Sequence, residues 1–185
     1  MIMLWAIPAG ILAGLAARGT LANLSSFHFR WAPVAIGGLL VQVVLFTSFG
    51  DSIAGGAAPA IYVASTVAVF LAVLRNARLT GMPIVILGSL SNLAAITANG
   101  GAMPADAAAL AAAGLDGAGS HTNSVVLANP ALQPLTDIYA LPAWLPLANV
   151  FSVGDVLIGV GLIVVIAAVM RRSPSRDAAE VPAAT

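Results

Sequence analysis

Two carboxylates near the end of the chain frame a segment in which acid–base chemistry could be done. Asp137 lies in Leu-Thr-Asp-Ile-Tyr and Asp155 in Asn-Val-Phe-Ser-Val-Gly-Asp-Val-Leu-Ile. Two carboxylates held close together cannot both ionise cheaply, so one keeps a proton while the other stays a base. That division of labour activates water for attack on an amide or ester. Each residue also has a plainer role. Ser152 through Asp155 reads as an S-x-x-D capping box, with the acid favourably placed near a helix N-terminus. Asp137 taken alone suits a solvated loop or a turn. The two roles of Asp155 are compatible, because a helix N-terminus would hold it as the ionised member of a pair. Catalysis requires a fold that brings the Asp137 segment back over the mouth of the helix that Asp155 opens.

Other polar residues offer less. Ser89, Asn92 and Asn99 are spaced by three and seven, so they share one helical face. They supply either interhelical hydrogen bonds or a polar wall for a site opening outward. Gln42, Ser65 and Thr66 read as packing polars. His121 could join Asp137 and Asp155 as a ligand set, but a lone loop histidine lacks a second His or Cys at ligand spacing. No metal and no other cofactor is expected. The adjacency of Ser120 and His121 gives no orienting geometry for a nucleophilic triad. The chain has no cysteine, which excludes disulfides and thiolate chemistry.

The elements that must position the acids are set by composition. Sixty per cent of the 185 residues are apolar and 8% are charged, too few charges to cover a water-soluble core. Zero net charge with no basic tract argues against nucleic acid as a partner. Apolar runs at about 1–17, 32–50, 57–74, 82–98 and 153–170 each approach the roughly 20 residues that a hydrocarbon core requires. They predict an all-α polytopic transmembrane bundle of five helices, with residues 1–172 forming one domain. The first run has no basic residues before it and reads as a retained helix, not a signal peptide. Arg18 and Arg30, then Arg75 and Arg78, then Arg171, Arg172 and Arg176 flank these runs, and cations stay on the cytoplasmic side. The expectation is a multi-pass protein of the bacterial cytoplasmic membrane, N-terminus outside and C-terminus inside. Gly50-Asp51-Ser52 then forms a short outer loop. Segment 99–152, with Asp106, Asp116 and Asp137 and no Lys or Arg, forms an extracytoplasmic cap between helices four and five.

Within the cap, Asn99-Gly100-Gly101 predicts a sharp turn, and Pro104 suits the first turn of a short Ala-rich helix over 104–113 lying on the membrane surface. Pro130, Pro134, Pro142 and Pro146 favour extended, turn-punctuated chain, with Trp144 as an interfacial anchor. Residues 173–185 read as a disordered cytoplasmic tail. The helices hold no buried base and the sequence shows no internal repeat, which disfavours a coupled transporter. Gly10 and Gly14 form a GxxxG pair, but with eighteen glycines in the chain such a pair arises by chance and argues little for dimerisation.

Two resemblances follow from these residues. Asn99-Gly-Gly-Ala-Met-Pro104 and Ser152-Val-Gly-Asp155 resemble motifs of a family of small bacterial integral membrane proteins of unknown function, which implies no activity. The last 50 or so residues, with Thr-Asp137-Ile and Val-Phe-Ser-Val-Gly-Asp155, resemble the end of lipoprotein signal peptidase, a membrane-embedded aspartyl peptidase. That resemblance implies Asp137 and Asp155 as a catalytic pair; Asn92, Asn99, His121 and Ser152 are the candidate supporting polar residues. This chain departs from the peptidase in having Ser152 for its motif Asn, Gly154 for its Ala, and five spans instead of four. Two expectations therefore stand: a non-catalytic membrane protein whose outer cap contacts a partner protein or lipid, and an outer-face aspartyl hydrolase acting on a lipid-linked substrate.

Overall fold

The computed structural model describes residues 2–115 and 124–172. Most of the described chain is helical: α1 Ile2–Ala16, α2 Ala32–Leu45, α3 Ser48–Ala54, α4 Ala58–Leu74, α5 Met82–Ala98, α6 Ala107–Ala112 and α7 Val153–Met170. Proline in the first turn opens α2, α4 and α5, where its missing N–H removes nothing and its φ is already helical. Two helical stretches are long and apolar enough to cross a membrane, Ser48–Leu74 and Val153–Met170; α1, α2 and α5 are shorter apolar helices.

Glycine decides how the helices pack. A Cβ on Gly81 would lie 2.7 Å from the Gly161 carbonyl oxygen, and one on Gly88 would lie 2.5 Å from that of Gly154. The paired glycines are two turns apart on each helix, so α5 and α7 run antiparallel with backbones in contact, the small-residue packing that membrane helices favour. Gly10 and Gly14 meet Ile166 and Met170, which lays α1 parallel to α7 and spends the GxxxG pair inside the chain. Gly38 receives Val69, and Gln42 Nε2 donates to Thr66 Oγ1 at 3.2 Å, fixing α2 antiparallel to α4.

This arrangement separates charges by end. Thr20 N–H and Asn23 Nδ2 donate to the Met170 carbonyl at 2.9 and 2.8 Å, and Arg30 N–H donates to Asn76 Oδ1 at 2.9 Å. Arg18, Arg30, Arg75, Arg78, Arg171 and Arg172 therefore gather at one end of the helices. The other end carries α3 and the described parts of the segment from Asn99 to Ser152, residues 99–115 and 124–152.

That segment is a small built structure. Gly100 and Gly101 have φ of +70° and +89°, and the Gly101 N–H returns to the Ile96 carbonyl at 2.9 Å, so the chain leaves α5 in a tight reversal. Strand β1 (Met103–Pro104) then pairs in parallel with β2 (Ser124–Val125). Beyond, β3 (Tyr139–Ala140) pairs antiparallel with β4 (Val150–Phe151). Met103 joins Leu45, Tyr62, Ala95 and Ile96 in one buried cluster, which fastens this layer to α2, α4 and α5.

Several boundaries differ from the sequence reading. The second apolar run reaches 50, but α2 stops at Leu45, because Thr47 Oγ1 donates to the Val44 carbonyl at 2.6 Å and accepts the Gly50 N–H at 3.1 Å. Gly50, Asp51 and Ser52 fall within helix α3 and not in a loop. Pro104 is in a strand; the short helix starts later, with Asp106 as its cap accepting the Ala109 N–H at 2.9 Å. Ala109 and Ala113 pack with Ala105 and Val150, so α6 buries its small face against the cap. Asp116, His121 and residues 173–185 lie outside the described residues, so the tail and the histidine's place are expectations only.

Candidate functional site

Asp155 is fixed by the start of its own helix. Ser152 Oγ accepts the Asp155 N–H at 3.1 Å, and the Asp155 Oδ2 accepts the Ser152 N–H at 3.2 Å, so the capping box closes in both directions. Asn92, on α5, adds a third partner. Its Nδ2 donates to Asp155 Oδ1 at 2.8 Å, and its Oδ1 accepts from the Ser152 hydroxyl at 2.9 Å. Asn92 can reach because Gly154 has no side chain; a Cβ there would overlap the Asn92 amide oxygen. Asn92, Ser152 and Asp155 thus form a closed cycle across the α5–α7 contact, with Ser152 fully buried.

Asp137 reaches the same region from the cap. Its N–H donates to the Pro104 carbonyl and its own carbonyl accepts the Asp106 N–H, both at 3.0 Å, so the 103–106 segment grips it from one side. On the other side the chain enters β3, where Tyr139 is paired with Phe151 and their rings stack at 5.6 Å. The Asp137 side chain is 6% exposed, so the plain solvated-loop reading of Asp137 does not hold.

Both acids line one partly open cavity of about 390 Å³ between α2, α4, α5, α7 and the cap, with Met3 and Phe29 also on its wall. Its acidic end holds Asp137, Asp155, Asn92 and Ser89; Gln42, Tyr62 and Thr66 add polar groups along α2 and α4. The remainder is apolar, with Leu39, Val69, Phe70, Val73, Val85 and Leu162 on its walls. This volume falls in the range of cavities that take a small organic molecule or an acyl chain. A few convergent polar groups at one end of an apolar chamber would orient such a guest.

Residues 26–167 match a family described only as a family of unknown function, DUF5317. The chain belongs to that family. No curated protein and no solved structure matches it. In this DUF5317 member both acids and all the cavity's lining residues except Met3 fall within the matched stretch.

The remaining sequence candidates divide. Asn92 and Ser152 meet Asp155, and Ser89 shares their cavity. Asn99 does not line it: its amide donates to the Ala95 and Ala131 carbonyls at 2.8 and 2.9 Å and accepts the Ala131 N–H at 2.8 Å, which staples the cap to the end of α5. Among the described residues no cluster of three or more His, Cys, Asp or Glu could hold a metal ion. Gln42 and Thr66, read as packing polars, do bond each other across α2 and α4 and also line the cavity. Their pairing at helical registers 24 residues apart is a cue only once α2 is known to face α4.

Proposed function

We propose that the protein is a five-span protein of the bacterial cytoplasmic membrane, with its cap on the outer face, that holds an apolar or lipid-linked molecule in the chamber beneath that cap. The observation that carries this reading is the cavity itself: apolar over most of its lining, with Asp137, Asp155 and Asn92 among its few polar groups. The membrane setting is supported by the large apolar side chains that face outward on three helices, such as Leu12, Val43 and Leu87 at 66%, 65% and 57% exposure. The gathering of arginines at the end away from the cap fits the same orientation. The guest's hydrocarbon part would lie along α2 and α4, and its polar end would meet the acids.

The absence of cysteine makes the orientation simple to test. A cysteine at Ala128 should react with an impermeant thiol reagent on intact cells, and one at Ala77 only after lysis; the reverse pattern would overturn the orientation. Occupancy is tested by extracting the protein in mild detergent and weighing it intact in a mass spectrometer. Wild type should carry a lipid-sized adduct that Val69→Phe, which fills the chamber, excludes. Equal adducts in both proteins would remove the binding reading.

A second reading, an aspartyl hydrolase resembling lipoprotein signal peptidase, is favoured by one specific observation, the presence of both carboxylates on the same cavity. Protonated Asp137 would donate to the carbonyl oxygen of an amide or ester while Asp155 takes a proton from the attacking water, giving a tetrahedral intermediate that expels the amine or alcohol. Release of product from a lipid-linked peptide by wild type, abolished in a folded Asp155→Asn protein, would select this reading over simple binding.

A further inference from the structure

A second cavity, of about 590 Å³, opens at the other end of the helices, between the segment joining α1 to α2 and the turn joining α4 to α5. Its cationic wall is Arg30, Arg75 and Arg78, with His28 beside them; Trp31 and Leu71 supply apolar surface. No described carboxylate lines it. Retention of arginine on the cytoplasmic side accounts for the side of the membrane, but not for three arginines lining one cavity on which no described carboxylate lies.

Their convergence is enforced by the backbone. Asn76 is 4% exposed and accepts the Arg30 N–H at 2.9 Å, while its Nδ2 donates to the Arg30 carbonyl at 2.8 Å and the Ala72 carbonyl at 2.7 Å. A buried amide thus clamps residue 30 against the end of α4, one residue from Arg75 and two from Arg78. Trp31 beside it has φ of +63°, a left-handed conformation that a bulky residue holds only where its surroundings impose it. Like charges repel, and an anion held between these three arginines would offset that repulsion.

We propose that this cavity binds the phosphate of an anionic phospholipid from the cytoplasmic leaflet, with guanidinium groups on its oxygens and hydrocarbon along α4. Free phosphate would satisfy the same charges. Leu71 and Leu74, 47% and 38% exposed beside the cations, add an apolar wall that only a lipid uses. Basic pockets between membrane helices on the cytoplasmic side recognise lipid headgroups on this principle. The assignment rests on the membrane reading above but not on what the outer chamber holds.

The membrane reading is checked separately: the protein must stay in the membrane pellet after an alkaline carbonate wash, and release there would refute that reading without reference to lipid charge. Binding is then measured on the full chain in uncharged detergent, following Trp31 fluorescence in a Trp5→Phe, Trp144→Phe background. Dihexanoyl phosphatidylglycerol should bind about tenfold or more tighter than dihexanoyl phosphatidylcholine, and Arg30→Gln, Arg75→Gln and Arg78→Gln together should abolish that preference. The three Arg→Lys changes should keep most of it. If the triple Gln protein does not fold, single Arg75→Gln and Arg78→Gln proteins, altered only at exposed side chains, should each weaken phosphatidylglycerol by about threefold or more. Equal affinity for the two lipids, or unchanged affinity in the Gln variants, would overturn the site. Inorganic phosphate displacing the lipid at millimolar concentration would overturn the lipid assignment in favour of a soluble anion.

Discussion

The two ends of this bundle handle charge by opposite means. At the cap end, acids are enclosed: Asp155 accepts from Asn92 and from the Ser152 N–H, and Asp137 is buried between the backbone of 103–106 and β3. At the arginine end the guanidinium groups are exposed, and the buried polar residue, Asn76, bonds to main chain and not to the charges. An enclosed charge has a fixed geometry suited to orienting one guest or one water. An exposed set on a rigid base suits a mobile headgroup that arrives from the side. Each end uses an asparagine, but Asn92 grips a carboxylate and Asn76 grips a loop.

The largest expected effect breaks the acid end. Gly154→Ala would place a Cβ on the Asn92 amide oxygen and 2.8 Å from the Gly88 carbonyl oxygen. Backbone cannot move aside as a side chain can, so α5 and α7 must separate and the Asn92–Asp155 bond must open. A loss of about 3 kcal/mol is expected, as for overpacking of a tight contact, read as a lowered melting temperature in detergent. Gly37→Ala is the control, since nothing lies within 4 Å of its Cβ position; it should be neutral or stabilise α2 by up to ~1 kcal/mol. Equal melting of the two variants would show that the glycine contact does not set the helix spacing.

Next come the two asparagines. Asn76→Ala leaves a buried N–H and two carbonyls without their partner and should cost about 2–3 kcal/mol. Asn92→Ala faces a cavity that can admit water, so about 1 kcal/mol is expected from melting curves. The reverse order would mean that the acid cycle, and not the arginine clamp, is the stronger brace. Of similar size is Asp155→Ala, which opens one half of the capping box for about 1 kcal/mol. Asp155→Asn keeps an acceptor for the Ser152 N–H and should melt closer to wild type. A folded Asn protein that loses its guest or its hydrolysis would separate the role of the charge from that of the cap.

Legibility followed locality. The limits of α5 and α7 agree with the apolar runs 82–98 and 153–170, because Pro83 and the Ser152–Asp155 box mark their starts by chemistry within one turn. The end of α2 was hidden, since Thr47 turns the chain with a hydroxyl that hydropathy does not register. Pro104 misled for a different reason. Pairing with residues 124–125 and 137 takes it into a strand, and that pairing is remote in sequence. Asn92 was visible as a polar face and Asp155 as a cap, but their meeting depends on Gly154 and Gly88 permitting contact between two helices 60 residues apart. The arginines showed their grouping between the apolar runs, whereas their convergence depends on Asn76, an asparagine among arginines that gave no sign of its burial.

The smallest predicted effect tests whether strain at the arginine end is tied to the cavity. Trp31 caps α2 with φ of +63° and ψ of 28°, and its side chain is 52% exposed. A left-handed residue other than glycine costs about 1–2 kcal/mol, and a half-exposed ring recovers only part of that by packing. Trp31→Gly removes the strain but adds chain entropy in the unfolded state, so a net gain of no more than ~1 kcal/mol is expected. Melting should therefore rise slightly or hold, while affinity for dihexanoyl phosphatidylglycerol, followed by intact mass in this variant, should fall. A stability gain with undiminished lipid binding would leave the strained tryptophan unrelated to the cavity. A marked loss of stability would show that the ring's packing outweighs its strain, and would make Trp31 a structural cap like Ser152 at the opposite end.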